Sequence, residues 1–183
     1  MLDDTGLTNV TTACRPYLQE LKNVATGLAL LRGSKSLDHS HATLCGVRRN
    51  RNPRDTPPEY HRAADDWFLS EFGTRYRSDA LFCSGSYSTA QLYGRVFVVC
   101  PVGDLEVCWS PSVCDMFTLV SRSHVVGVEG FLKALQESGY REGSLAQAIS
   151  SGQEIMVHCR AYYAIPVCSA DEVRSVVLRL GSL

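Results

Sequence analysis

Three apolar runs in the middle of the chain constrain its fold most: "ALFCS" from Ala80, "RVFVVC" from Arg95 and "LEVCWS" from Leu105. Each is rich in residues that favour strands and is bounded by turn formers. Between the first two lies "SYSTAQLYG", a short helix with Ser or Thr at its start and Gly94 at its end. Between the second and third, "PVGD" reads as a hairpin turn. Helical patterns lead this segment, and a late pair of strands, "EIMVHC" and "AYYAIPVC", follows it. The second of that pair, from Tyr162 to Ile165, is expected beside the first as its aromatic hairpin partner. The order is that of an α+β domain with a split or mostly antiparallel sheet flanked by helices.

The flanking elements have their own signals. Tyr17, Leu18, Leu21 and Val24 recur at helical spacing, so a helix is expected over Ala13 to Ala25. "LALLRG" is a short apolar run ending at Arg32-Gly33, and the polar, Arg-rich stretch from Ser34 to Arg54 reads as loop. In "TPPEYHRAADDWFLSEFG", Thr56 is the expected N-cap, Pro57 suits the first helical position and Glu59 completes a capping box. Tyr60, Ala63, Ala64, Trp67 and Phe68 form its apolar face, and Gly73 ends it in the left-handed conformation. "EGFLKALQESG" and "SLAQAIS" are further helical pieces. "SADEVRSVVLRL" carries a second capping box (Ser169, Glu172) and an apolar face of Val173, Val176, Val177 and Leu180, although its valines leave a strand open. No repeat or low-complexity linker interrupts the chain, so residues 1–183 are read as one domain.

Composition narrows the function. Apolar residues at 45% and charged residues at 20% are those of a soluble globular protein. A net charge of −1 argues against general nucleic-acid binding. No apolar stretch reaches the length of a membrane span, and "MLDDTGLTNVTT" is too acidic and polar for a signal peptide. A cytoplasmic protein with reduced thiols is expected. There is no Cys-x-x-Cys pair, and His39 and His41 have no Cys pair nearby, so no metal site is expected.

"QEIMVHCRAYYAI" opens with a carboxylate, Glu154, and contains His-Cys-Arg. A Cys-phosphatase loop would need Arg six residues after Cys159, where Ile165 stands, and Gly between them, where there is none. Cys159 is therefore read as strand filling. No Gly-x-Ser-x-Gly elbow supports a serine hydrolase. His61, on the helix of Trp67, reads as a surface or packing residue, and His124 has no motif around it.

Three pieces taken together say more. "LALLRGSKSL" carries Arg32 at a strand end followed by Gly33; "ALFCSGSYSTAQLYG" carries hydroxyls at the end of a second strand; "SGQEIMVHCRAYYAI" carries Glu154 at the start of a late one. In this order, from Leu28 to Ile165, the chain resembles the ADP-ribosyltransferase superfamily in its Arg-Ser-Glu branch. The stretches "RNRNPRDTPPEYHRAADDWFLSEFGTRYRS" to "WSPSVCDM" also look like phage and bacterial proteins of this fold. The resemblance implies a mono-ADP-ribosyltransferase that cleaves NAD at its nicotinamide–ribose bond and transfers ADP-ribose to a macromolecule, a protein rather than a nucleic acid, as a phage-encoded, toxin-like modifier of host proteins would. It implies that Glu154 stabilises the oxocarbenium-like sugar and grips the ribose hydroxyls. Arg32, followed by Gly33, would hold the diphosphate or a ribose. Ser84, or alternatively Ser86, would brace the Arg and the Glu by hydrogen bonds, and Tyr87 or Tyr93 would stack on nicotinamide. The loop from Arg48 to Arg54 would lie near the adenosine diphosphate or the acceptor; its other reading is a set of ion pairs to Asp65, Asp66 and Glu71.

Each residue also has a plain structural reading. Arg32 could pair with Asp38, Ser84 could close a turn, Ser88 could cap a helix, and Glu154 could be a solvated strand-end charge. The occurrence of all three in family order favours the functional reading. Two departures bear on the acceptor. Gly152 stands where arginine-modifying members carry a second acid, and "CSGS" replaces Ser-Thr-Ser. Asp104, Glu106 or Asp115 could supply an acceptor base instead. A plain NAD glycohydrolase and a non-catalytic binding or inhibitor module on the same fold are the alternatives. Convergence of Arg32, Ser84 and Glu154 in one cleft is what separates an enzyme from such a module.

Overall fold

Pro16 breaks the first helical pattern in two. The computed structural model describes residues 4–37, 40–51, 56–121 and 127–181. It has α1 over Asp4–Ala13 and α2 over Arg15–Leu21, where a single helix was expected from Ala13 to Ala25. A proline lacks the N–H that would continue α1, but it suits the first turn of a new helix. Strands β1 (Leu31–Ser34) and β2 (Thr43–Gly46) follow, so part of the expected loop is an edge strand. Helix α3 (Pro58–Phe72) then leads through a single turn, α4 (Tyr76–Asp79), into β3 (Leu81–Ser84). The expected capping box is not made. Pro57 occupies the N-cap without a side-chain bond, and Thr56 is buried instead. Proline has no side-chain acceptor to offer the free amides of the first turn, and Tyr60 N and His61 N donate to the Pro57 carbonyl, both at 3.1 Å. The other end is as expected: Gly73 closes α3 at φ 78°.

The remaining elements are α5 (Tyr87–Gln91), β4 (Arg95–Pro101), β5 (Glu106–Trp109), α6 (Phe117–Ser121), α7 (Gly127–Glu137), β6 (Arg141–Glu142), α8 (Leu145–Ser151), β7 (Glu154–His158), β8 (Ala161–Val167) and α9 (Ala170–Gly181). Ser86, not Ser88, caps α5 by accepting from Thr89 N at 3.2 Å. The second capping box forms: Ser169 Oγ accepts from Glu172 N at 3.2 Å, and the Glu172 carboxylate accepts from Cys168 N at 2.7 Å.

The eight strands form one sheet in the order β2-β8-β4-β1-β3-β7-β5-β6, with every pairing antiparallel. Two expected hairpins are absent. β4 lies between β8 and β1, while β5 lies between β7 and β6, so "PVGD" is a crossing and not a hairpin turn. Val102 N donates to Ala161 O and Gly103 N to Ala13 O, which ties this crossing to β8 and to the end of α1. β7 and β8 are likewise not neighbours, and buried Cys159 sits in the turn between them, just past the end of β7.

The sheet is joined at its centre by a single registered pair, Leu31↔Ser84, where β4 and β8 have six. It therefore divides into the halves β2-β8-β4-β1 and β3-β7-β5-β6. Strand alternation sorts the core. Val107, Trp109, Ile155 and Val157 join one cluster with α2, α8 and α9, while Cys108 and Met156 point the other way into a cluster with α3 and α7. No helix among the described residues is long and apolar enough to cross a membrane.

Candidate functional site

The three residues met in family order come together at the divide in the sheet. Ser84 is registered with Leu31 on one side and with Glu154 on the other, so β1, β3 and β7 carry Arg32, Ser84 and Glu154 side by side. All three line a cleft of about 1040 Å³, whose far walls come from the loop after β2, from α4 and from the segment before α6.

Arg32 reaches across the divide: Nη1 donates to Phe82 O at 3.0 Å, while its buried Nε has no partner among the described residues. Asp38, the alternative partner for Arg32, lies outside the described residues, as do His39, Arg54 and His124. Gly33 also lines the cleft, and it has a packing reason to be glycine. A Cβ there would fall 1.8 Å from Ala90 O of α5.

Ser84 does not brace the Arg32 and Glu154 side chains as expected. Its hydroxyl donates to Gly152 O at 2.9 Å and accepts from Ser86 N at 3.1 Å. It thereby pins the start of β7, and Glu154 with it, to the end of β3. Gly152 closes α8 at φ 68°, a conformation an acidic side chain would strain. Ser86 and Tyr87 are not among the residues lining the cleft. The Ser86 hydroxyl is used in capping α5, and Tyr87 packs against the main core. Tyr93 does line the cleft, and its hydroxyl donates to Asp115 Oδ2 at 2.9 Å.

Glu154 is nearly buried and paired with a residue the sequence did not single out. Its Oε1 lies 3.0 Å from Arg77 Nη1, with the two side chains 14% and 10% exposed. Burial pushes its carboxyl above the usual value, and Asp115 adds to this. Arg77 and Arg51 pull the other way, and the Met116 backbone amide also favours the ionised form. Of the candidate bases, only Asp115 is in this cleft. Asp104 and Glu106 line a separate groove, where Glu106 meets His158 at 3.1 Å.

The guanidiniums of Arg51 and Arg77 stack on Phe82, with centroid distances of 4.3 and 4.5 Å. Burial, then the neighbouring charges of Arg32 and Arg77, push Arg51 down to about 10. Among the described residues, no ion pair joins the arginine loop to the next helix. Asp65 accepts from the backbone of Arg77 and Ser78, and Asp66 meets Arg75 at 3.8 Å. Arg48, Arg49 and Arg51 instead line the cleft, which among the described residues gathers five arginines with Arg32 and Arg77 against two carboxylates, Asp115 and Glu154. A chain of net charge −1 has thus concentrated cations in one concavity, the electrostatic form of a site for an anion.

His61 is buried on α3, with Nε2 3.1 Å from Ser78 Oγ and 3.5 Å from Asp65. Packing, rather than surface exposure, is the half of its expected reading that applies. Cys159 is 5% exposed and burial pushes its thiol up to about 11, so it has little thiolate with which to attack anything. Among the described residues, no three His, Cys, Asp or Glu side chains gather as a metal site would require.

Arg77 was missed because it lies neither in an apolar pattern nor beside a motif. "FGTRYRSD" reads as a charged turn, and only the contact with a strand 77 residues later gives Arg77 its meaning. Compared with protein-family models, with curated proteins and with solved structures, the chain has no match in any of the three.

Proposed function

We propose that this protein is a mono-ADP-ribosyltransferase, which cleaves NAD at the nicotinamide–ribose bond and passes ADP-ribose to a protein acceptor. One observation carries the reading: Arg32, Ser84 and Glu154, distant in sequence, line one arginine-rich cleft on three adjacent strands. The cleft, at about 1040 Å³, is at the upper end of the range for small-molecule sites, as a dinucleotide requires. On this reading Arg32 and Arg51 neutralise the diphosphate, while Tyr93 is the aromatic surface for the nicotinamide ring. Nicotinamide leaves as a neutral base with the electrons of the glycosidic bond. Positive charge develops on the sugar carbon, and Glu154 stabilises it. An acceptor nucleophile then bonds to that carbon and loses its proton, with Asp115 as the nearby base. The acceptor is a macromolecule of the cytoplasm, and a phage modifying host proteins is a setting that fits.

Gly152, where a second acid would stand, favours a runner-up of the same chemistry: NAD glycohydrolysis, with water as the acceptor. The Arg77–Glu154 ion pair is the observation that favours a non-catalytic binding or inhibitor module. Incubation of wild type and Glu154→Ala with labelled NAD and a bacterial lysate separates these. Label on a lysate protein with wild type alone is the expected result. Free nicotinamide without a labelled band means hydrolysis, and no NAD turnover by wild type sinks both enzymatic readings.

A further inference from the structure

The charged side chain engaged by Glu154 is none of the residues in family order. Arg77 is 9% exposed, and three contacts fix it. Its Nη1 meets Glu154 Oε1 at 3.0 Å, its guanidinium lies on the Phe82 ring, and its backbone N–H donates to Asp65 Oδ1 at 3.0 Å. Asp65 is itself buried on α3. It also accepts from Ser78 N at 3.1 Å and from the Ser78 hydroxyl, with His61 alongside. A single turn such as α4 has little helical stability of its own. The Asp65 carboxylate holds it against α3, and the Arg77 guanidinium is thereby aimed at β7. A surface arginine pays rotamer entropy to form an ion pair; here packing has already restricted the side chain.

We propose that Arg77 is the positioning residue for Glu154: it holds the carboxylate ionised and oriented in the cleft, leaving its remaining acceptor sites to the bound ribose. This rests on the NAD-cleaving reading above. The electrostatics around Glu154 explain why such a partner is needed. Burial and the Asp115 carboxylate, from the segment before α6, both favour the protonated acid. Arg77 from α4 is the strongest opposing charge, with Arg51 from the loop after β2 behind it. Tyr93 just past the end of α5, Tyr140 before β6 and Cys108 on β5 also face this carboxylate. Burial pushes all three well above their ordinary values, so they bring no charge at neutral pH. Without Arg77, Arg51 and the Met116 amide are left to oppose protonation. A protonated Glu154 could not stabilise a cationic sugar.

The test follows the Glu154 carboxyl by NMR in isotope-labelled full-length protein, assigned with Glu154→Gln, alongside NAD turnover. In Arg77→Gln the Glu154 titration is expected to move to higher pH, and in Arg77→Lys to return most of the way. kcat should fall about a hundredfold at neutral pH in Arg77→Gln, recover as pH rises and be partly rescued by lysine, with KM for NAD changed only a few-fold. A purely structural ion pair would also move this titration when removed, but would leave kcat and its pH profile at those of wild type. That result, or a lysine variant no closer to wild type than glutamine, overturns the proposal. If Arg77→Gln does not fold, wild type decides: the Arg77 guanidinium resonances must shift with the Glu154 titration, and their indifference to it overturns the proposal equally. The titration needs no NAD. A wild type that cleaves none therefore removes the transferase reading while leaving the hold of Arg77 on Glu154 to be judged by NMR.

Discussion

At the scale of single residues, Glu154 is where burial and pairing oppose each other. Its carboxyl is raised above its ordinary value of 4.5, so the folded state keeps the proton to higher pH than the unfolded chain does. Its contribution to stability is fully present below about 4.5 and is lost as pH rises through the folded-state value. Glu154→Gln removes this loss. Thermal unfolding at a series of pH values should show the melting temperature of Glu154→Gln, relative to wild type, increasing from about pH 4 to about pH 7. The opposite trend would mean that the attraction of Arg77 outweighs burial. Glu154 itself was legible in the sequence as a carboxylate at the mouth of an apolar strand, and Ser84 as a strand-end residue, whereas Arg32, expected at a strand end, is the second residue of β1. Arg77 was not. Nothing within a few residues of it differs from an ordinary charged turn, and its partners Asp65 and Glu154 are on distant segments.

At the scale of elements, α5 is seated so closely on β1 that a side chain between them has nowhere to go. A Cβ at Gly33 would meet Ala90 O at 1.8 Å, whereas one at Gly73 would meet nothing within 4 Å. Gly33→Ala should therefore cost about 3 kcal/mol through forced repacking. Gly73→Ala should cost about 1 kcal/mol, the penalty of a left-handed alanine alone. Urea denaturation of the two variants measures the difference, and equal losses would mean that α5 is not docked in this way. Most helices and strands were readable because their signals are local: a periodic apolar face, a glycine at the C-terminus, a capping serine. The hairpins were misread because adjacency along the chain is only a prior for adjacency in a sheet. Val102 and Gly103 bond to β8 and α1 instead of turning β4 back onto itself.

At the scale of the whole molecule, the division of the sheet and the cysteines together give a readout of the cleft. Cys114 is exposed and lines it, while exposed Cys168 lies at the start of α9, away from it. Cys14, Cys83, Cys100, Cys108 and Cys159 are buried, and burial pushes Cys14 and Cys83 up to about 12. Alkylation of the native protein, followed by mass spectrometry, should label Cys114 and Cys168 first and half-buried Cys45 later, with the buried five waiting on unfolding. NAD or ADP-ribose should slow the labelling of Cys114 and leave Cys168 unchanged. Equal protection of the two, or none at Cys114, would mean that neither ligand occupies this cleft.

The sequence by itself determined most of the segments that become helices and strands, though not β2 or the break between α1 and α2, because periodicity, caps and β-branched runs act within a few residues. It also held the Arg, Ser and Glu in an order that could be tested. Only the tertiary structure decided which strands are neighbours, that β1 and β3 meet at a single pair, and that, among the described residues, five arginines face two carboxylates in the opening this leaves. Those outcomes depend on contacts between residues far apart in the chain. Such contacts are selected by how whole faces pack and how buried charges find partners, and no short window of sequence contains that information.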